Sequence, residues 1–199
     1  MANEPALFFG QFMRSPASIG AIAPSSRRLA AAITVPIPED GDPVVVELGP
    51  GTGSFTAEIQ RRLGGRGRHL AVEINPSLAG HLSRSHPGVE VIVDDATKLP
   101  ELLDARHAGQ ADVIISGLPW AAFGAGTQRA LLDGVLTAMK PEAAFTMFAY
   151  VHARRLPPAV RIRKALVDNF EEVVLGRTVW RNLPPAFVYH ARRPRRTGV

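Results

Sequence analysis

Two rhythms of apolar residues alternate along most of this chain. Short runs, Val44-Val45-Val46, Ala71-Val72, Val91-Ile92-Val93, residues 111–116 and residues 145–150, are bounded by polar or turn residues and read as buried strands. Between them apolar residues return every three or four positions: Phe55, Ile59 and Leu63, then Leu78 and Leu82, then Leu131, Leu132, Val135, Leu136 and Met139. That period gives each of three helices one apolar stripe. Gly64-Gly65 stops the first, and Asn75-Pro76 starts the second with an N-cap followed by proline at the first helical position. The third runs over residues 128–139, and Pro157-Pro158 opens a basic helix through Val167. Residues 173–180 and 186–189 read as two late strands. The five residues between them are too few for a parallel crossover, so an antiparallel hairpin is expected. The pattern is that of an α/β domain.

The first forty residues stand apart as an N-terminal helical extension, with the main domain at 41–199. Phe8/Phe12 and Phe9/Met13 pair at i, i+4 and leave Gln11 and Arg14 off a bulky apolar stripe. Such a stripe is usually core. Terminal, rich in Phe and followed by an arginine, it is also read as a helix that lies in a membrane interface or closes over a substrate. Ser25 and Ser26 are N-cap candidates for a second helix through Ile33, ended by Pro36 and Pro38.

The candidate chemistry begins at Glu47-Leu48-Gly49-Pro50-Gly51-Thr52-Gly53-Ser54. Glycines at alternate positions after a strand allow positive φ and a close backbone approach to a ligand, and the helix beginning near Ser54 offers free N–H groups. A dinucleotide fingerprint G-x-G-x-x-G needs its third glycine at position 54, where serine stands. The pattern here is E-x-G-x-G-x-G. Two further acids fall at strand ends, Glu73 beside Ile74 and Asp95 beside Ala96.

Composition narrows the classes. A chain of 199 residues, 46% hydrophobic, suits one sizeable core. It has no cysteine, so disulfide frameworks and thiolate metal sites are excluded, and its six histidines lack metal-site spacing, so no metal is expected. No early basic region precedes an apolar stretch and no run of about 18 apolar residues occurs, which predicts a cytoplasmic protein. The net charge of +5 is unevenly spread. Residues 151–199 carry 11 Lys/Arg against 3 Asp/Glu, whereas residues 1–150 carry 12 against 15. The basic end suits an anionic partner: a phospholipid surface at the inner face of a membrane, nucleic acid or an acidic peptide.

The glycine turn with its two acids, in this order and spacing, resembles the class I S-adenosylmethionine-dependent methyltransferases. The resemblance implies a Rossmann-like seven-stranded sheet with its last strand antiparallel, and S-adenosylmethionine as cofactor. It implies that the turn of Gly49, Gly51 and Gly53 lies along the methionine part, that Glu73 accepts bonds from both ribose hydroxyls, and that Asp95 with Ala96 faces the adenine, with Glu47 and Ile74 also among the cofactor-binding residues. Ser116-Gly117-Leu118-Pro119-Trp120 is then placed where the methyl group leaves. Methyltransferases of adenine or glutamine nitrogens usually carry Asn or Asp before the proline and an aromatic. Ser-Gly here disfavours a nucleobase, including the acceptor of the ribosomal RNA adenine dimethylases, and favours a flexible amine or carboxylate.

Four places carry a narrower resemblance, to the bacterial phospholipid N-methyltransferases of phosphatidylethanolamine type. They are Arg14-Ser15-Pro16 with residues 20–26, the glycine turn, Ser116-Gly117-Leu118-Pro119, and Trp180-Arg181-Asn182-Leu183-Pro184-Pro185-Ala186. Trp120 departs from the Phe those enzymes more often carry and reshapes the acceptor pocket. The expected function is therefore N-methylation of a phospholipid head-group amine. The other acceptor classes are a small metabolite or peptide amine or carboxylate, and an rRNA adenine. Ser116, Trp120 and Tyr150 are the candidate catalytic residues, Ser116 also bordering the cofactor; Phe12, Arg14, Trp120, Tyr150, Arg181 and Asn182 are candidates for holding the substrate. His152 is a candidate proton acceptor.

Overall fold

A computed structural model of the protein describes residues 25–195. The expected helix carrying Phe8, Phe9, Phe12, Met13 and Arg14 lies outside these residues. In chain order the elements are α1 (Arg27–Ile33), β1 (Val44–Leu48), α2 (Thr56–Leu63), β2 (Arg68–Val72), α3 (Pro76–Ser85), β3 (Glu90–Ile92), α4 (Leu99–Asp104), β4 (Ala111–Ser116), α5 (Ala125–Ala138), β5 (Met139–Tyr150), α6 (Pro157–Asn169), β6 (Phe170–Leu175) and β7 (Ala186–Pro194). Short 3₁₀ turns precede α4, α5 and α6 at Ala96–Lys98, Trp120–Ala122 and Val151–Ala153.

The seven strands form one sheet in the order β3-β2-β1-β4-β5-β7-β6. β1 pairs in parallel with both β2 and β4, whereas β7 runs antiparallel between β5 and β6. Parallel strands covered on both faces must be apolar on both, which is why Val44-Val45-Val46 in the first strand and Val113-Ile114-Ile115 in the fourth are apolar without alternation. Val46 and Leu48 face a layer that includes Leu102, Leu131 and Val135 from α4 and α5; Val45 faces the opposite layer of Leu29 and Ile33 from α1 with Ile59 and Leu63 from α2. α1 is thus part of the core, held also by the Thr146 hydroxyl donating to Ile33 O at 2.9 Å.

Local signals fixed several boundaries. Ser26 caps α1 by accepting from Leu29 N, and Asn75 caps α3 by accepting from Ser77 N and Leu78 N. Elsewhere tertiary packing won. The strand expected at 173–180 starts instead at Phe170, whose ring stacks on Phe145 with centroids 6.2 Å apart, and ends at Leu175. Residues 176–185 form a loop that is tied to β7 by Gly176 N donating to Val188 O at 2.8 Å and by the bridge of Val179 to Ala186. The 3₁₀ turn and α4 between β3 and β4 were absent from the sequence reading. They are short and begin at Asp95, whose carboxylate caps the turn by accepting from Thr97 N.

Candidate functional site

The carboxyl ends of β1, β2 and β3 converge on the glycine turn. Gly49, Gly51 and Gly53 all have positive φ, of 67°, 56° and 87°. Gly49 N donates to Val72 O at 2.9 Å, which ties the turn to β2. A Cβ at Gly49 would lie 2.6 Å from Leu118 Cδ2, whereas one at Gly51 would meet nothing within 4 Å. Gly49 is therefore packed and Gly51 faces open space where a ligand can approach its backbone. Gly117 completes the junction: its N–H donates to Leu48 O at 2.7 Å, and a Cβ there would lie 2.5 Å from Gly49 O.

Glu73 is fully buried at the end of β2. Its Oε2 accepts from Gly51 N at 3.1 Å and its Oε1 from Asn75 N at 2.9 Å. Burial pushes its carboxyl above the usual range, and these two N–H donors only partly oppose that. Each carboxylate oxygen has two acceptor sites, so one remains on each for a ligand hydroxyl. Asp95 accepts from both Thr97 N and Thr97 Oγ1 at 2.9 Å. Asp94 beside it accepts from Lys98 Nζ at 2.8 Å, which holds its carboxyl below the usual range. Gly49, Glu73, Ile74, Asp95, Ala96 and Leu118 all line one cleft.

Glu47 sits apart from that lining, on the α2 side of the sheet. Its Oε2 accepts from Thr56 Oγ1 at 2.7 Å and lies 3.2 Å from His69 Nε2, while Oε1 has no partner among the described residues. The side chain thus anchors the helix after the turn and keeps one buried acceptor free.

A second cavity, of about 330 Å³, opens at the ends of β4 and β5. Trp120, Tyr150, His152, Arg154 and Tyr189 line it, and Leu118 belongs to both this cavity and the cleft. Tyr150 stacks on His152 with centroids 5.6 Å apart, and burial raises its phenol above the ordinary range, so it is a donor at neutral pH. Ser116 lies beneath: its hydroxyl accepts from Trp120 Nε1 at 2.9 Å and from Leu118 N at 3.3 Å. Ser116, Trp120 and Tyr150 therefore gather at neighbouring strand ends, with Ser116 acting on the cavity through Trp120.

Arg181 and Asn182 do not join them. Arg181 lines a groove with Arg28, Trp180 and His190. Asn182 is buried, accepting from Ser26 N at 2.9 Å and donating to Pro184 O at 2.8 Å. The sequence reading passed over Gln128, also buried, whose Nε2 donates to Trp120 O at 2.7 Å and Pro158 O at 3.1 Å while its Oε1 accepts from Arg161 Nε. The signal was present: an amide in helical register with Leu131, Leu132 and Val135 on an inward face.

A family model described as a methyltransferase domain matches residues 45–142. An ornithine lipid N-methyltransferase of Singulisphaera acidiphila is 32% identical, and the match covers 94% of each chain. The chain belongs to the class I S-adenosylmethionine-dependent methyltransferases. A ribosomal RNA small subunit methyltransferase A of a Burkholderia species is 37% identical, but over 43% of this methyltransferase and 30% of that protein. Among solved structures, a precorrin-6y C5,15-methyltransferase from Geobacter metallireducens superposes with a TM-score of 0.60 at 21% identity, covering 83% of this chain and 88% of that one. TrmN from Thermus thermophilus gives 0.64 at 19%, covering 84% and 48%. At such identities these two show the shared fold.

S-adenosylmethionine is the cofactor of this methyltransferase. The cleft fits it on two counts: spare acceptor sites on Glu73, and open space beside the Gly51 backbone.

Proposed function

We propose that this methyltransferase N-methylates the amine of a lipid head group, holding the acceptor in the cavity beside Leu118. The observation that carries the reading is that shared wall, which sets the cleft and a largely apolar cavity side by side at the strand ends. The full-length similarity to a protein named for ornithine lipid supports the acceptor class.

Bound S-adenosylmethionine supplies an electrophilic methyl group on a sulfonium. In this reading Glu73 accepts from the ribose hydroxyls, Ile74, Asp95 and Ala96 border the adenine, and the turn from Gly49 to Gly53 lies along the methionine part, with Glu47 holding the helix behind it through Thr56. The acceptor nitrogen must arrive unprotonated and in line with the methyl group, with water excluded. His152 is the cavity's imidazole and takes the ammonium proton. Tyr150 accepts an amine N–H through its phenol oxygen, which leaves the nitrogen lone pair free, and offers its ring face to the cation that methylation creates. Arg154 has no partner among the described side chains and suits the anionic part of a zwitterionic head group. Of the extension over residues 1–40, α1 packs into the core, and the residues before it are read as meeting the membrane or the site, with Phe12 and Arg14 toward the substrate. The protein is placed in the cytoplasm, peripheral on the inner face of the membrane. Among the described residues no helix is long and apolar enough to cross a membrane.

The test is methyl transfer from labelled S-adenosylmethionine to lipid amines in mixed micelles, beside free amines, peptides and RNA. Label extracted with the lipid supports the reading. Label found only in free amines, peptide or RNA overturns it.

A further inference from the structure

The loop at residues 176–185 holds two large apolar side chains in water on a rigid frame. Trp180 is 72% exposed and Leu183 71%, yet Asn182 between them is 3% exposed. The frame is well bonded. Val179 N donates to Ala186 O at 2.7 Å, Asn182 N closes a turn on Val179 O at 3.2 Å, and the Asn182 side chain bridges Ser26 N and Pro184 O. The turn thus presents Trp180 and Arg181 at its tip, and none of its bonds uses the indole.

The neighbouring segment extends this surface. Val151 N donates to Pro185 O at 2.9 Å, which sets the loop beside residues 151–156 and the mouth of the acceptor cavity. Leu156, half-exposed, and Pro184 both line that mouth. Charge at this end has one sign. Residues 25–38, 150–167 and 173–195 contain no Asp or Glu. Between the last two of these segments Asp168, Glu171 and Glu172 are paired with Lys164 and Arg193, while Glu39 and Asp40 follow the first. Arg27, Arg28, Arg154, Arg155, Arg177 and Arg181 are free of such pairing among the described residues.

We infer that the loop at 176–185 and residues 154–156 form a docking surface for an anionic lipid membrane, Trp180 and Leu183 entering the interface and the arginines meeting head groups, so that the acceptor cavity opens toward the bilayer. The chemistry favours lipid: an indole suits the boundary between acyl chains and head groups, aliphatic side chains add burial, and unopposed arginines add attraction to an anionic surface. The inference rests on the lipid-amine reading for its purpose and on the loop for its geometry.

The test uses the full chain with vesicles of phosphatidylcholine alone and of phosphatidylcholine with phosphatidylglycerol. Wild type should pellet with the anionic vesicles, and Trp180→Ala with Leu183→Ala should lower that affinity at least about tenfold. Arg177→Glu should weaken it too and flatten its salt dependence. S-adenosylmethionine affinity without lipid should stay as in wild type, which reports that the variants fold. Because the chain has no cysteine, Leu183→Cys carries one environment-sensitive fluorophore. Its emission should shift to the blue on adding anionic vesicles. Unchanged pelleting of the double variant overturns the inference. So does a label that is already shifted and silent, since the protein then covers the patch itself, or a response to single-stranded RNA and not to vesicles. Methylation of lipid in micelles with no vesicle binding leaves the acceptor reading standing and removes this surface. Vesicle binding without lipid methylation does the reverse.

Discussion

Glu73 reaches back from the end of β2 to accept the Gly51 N–H at 3.1 Å, so the acid and the glycine turn form one unit. Glu73→Ala removes the ribose acceptor and also frees the turn. S-adenosylmethionine affinity should fall at least about tenfold, or about 1.4 kcal/mol, the scale of a hydrogen bond to a charged group. Calorimetry on the purified variant measures it, and unchanged affinity removes Glu73 from the ribose site.

The same carboxyl predicts a pH dependence. Burial raises its folded pKa, so on acidification it protonates before an ordinary glutamate, while Asp94 in the same cleft, held by Lys98, stays ionised to lower pH. If ribose binding needs the carboxylate, cofactor affinity should decline as pH falls through this raised value. For stability the sign is opposite to that of a salt-bridged acid. A raised folded pKa means the native state binds the proton more tightly, so charging Glu73 as pH rises disfavours the fold, and cofactor binding offsets that. Thermal shift with and without cofactor across the range should show the ligand's stabilisation growing toward neutral pH.

Trp120→Phe isolates the indole N–H. Ser116 Oγ loses its buried donor at 2.9 Å and the smaller ring leaves space against Phe145, so stability should drop by about 1–3 kcal/mol. Because Ser116 acts on the cavity through Trp120, KM for the acceptor should change while cofactor affinity holds. A parallel loss of both would place Trp120 in the cofactor site instead.

Gln128→Leu keeps the side chain's bulk and removes its bonds. Trp120 O then keeps only the Phe123 N–H at 3.2 Å, Arg161 loses its acceptor and α6 loses its tie through Pro158 O, a loss of about 1–3 kcal/mol. Gln128→Glu keeps an acceptor for Arg161 but lacks the donor. If chemical denaturation finds it as stable as wild type, the Trp120 and Pro158 bonds contribute nothing and Arg161 alone matters.

The sheet and the cofactor half were legible because their determinants are local. Asn75 before Pro76, the alternate glycines and the parallel apolar runs each carry their meaning in a few adjacent residues. The acceptor side was less so. Asn182 looked like a substrate ligand in its short motif, but its partner is Ser26, 156 residues away, and no local pattern encodes that pairing. Phe170 starts a strand because of Phe145 across the core, against a local sequence in which Glu171 and Glu172 carry no strand signal. Gln128 shows the reverse case, a legible anomaly on a helix face that waited for the partners that explain it.

The strand order carries a consequence for how such an enzyme diversifies. β3, β2 and β1 lie on one side of β4 with the glycine turn and its acids, and β5, β7 and β6 lie on the other with the cavity, its loop and α6. The matched methyltransferase domain, residues 45–142, spans the first side and stops just inside β5. Donor and acceptor halves meet at one aliphatic side chain, Leu118. If the cavity takes the acceptor, substitutions that change its range fall at residues 118–122 and beyond 145, and those beyond 145 leave the glycine turn and its acids untouched.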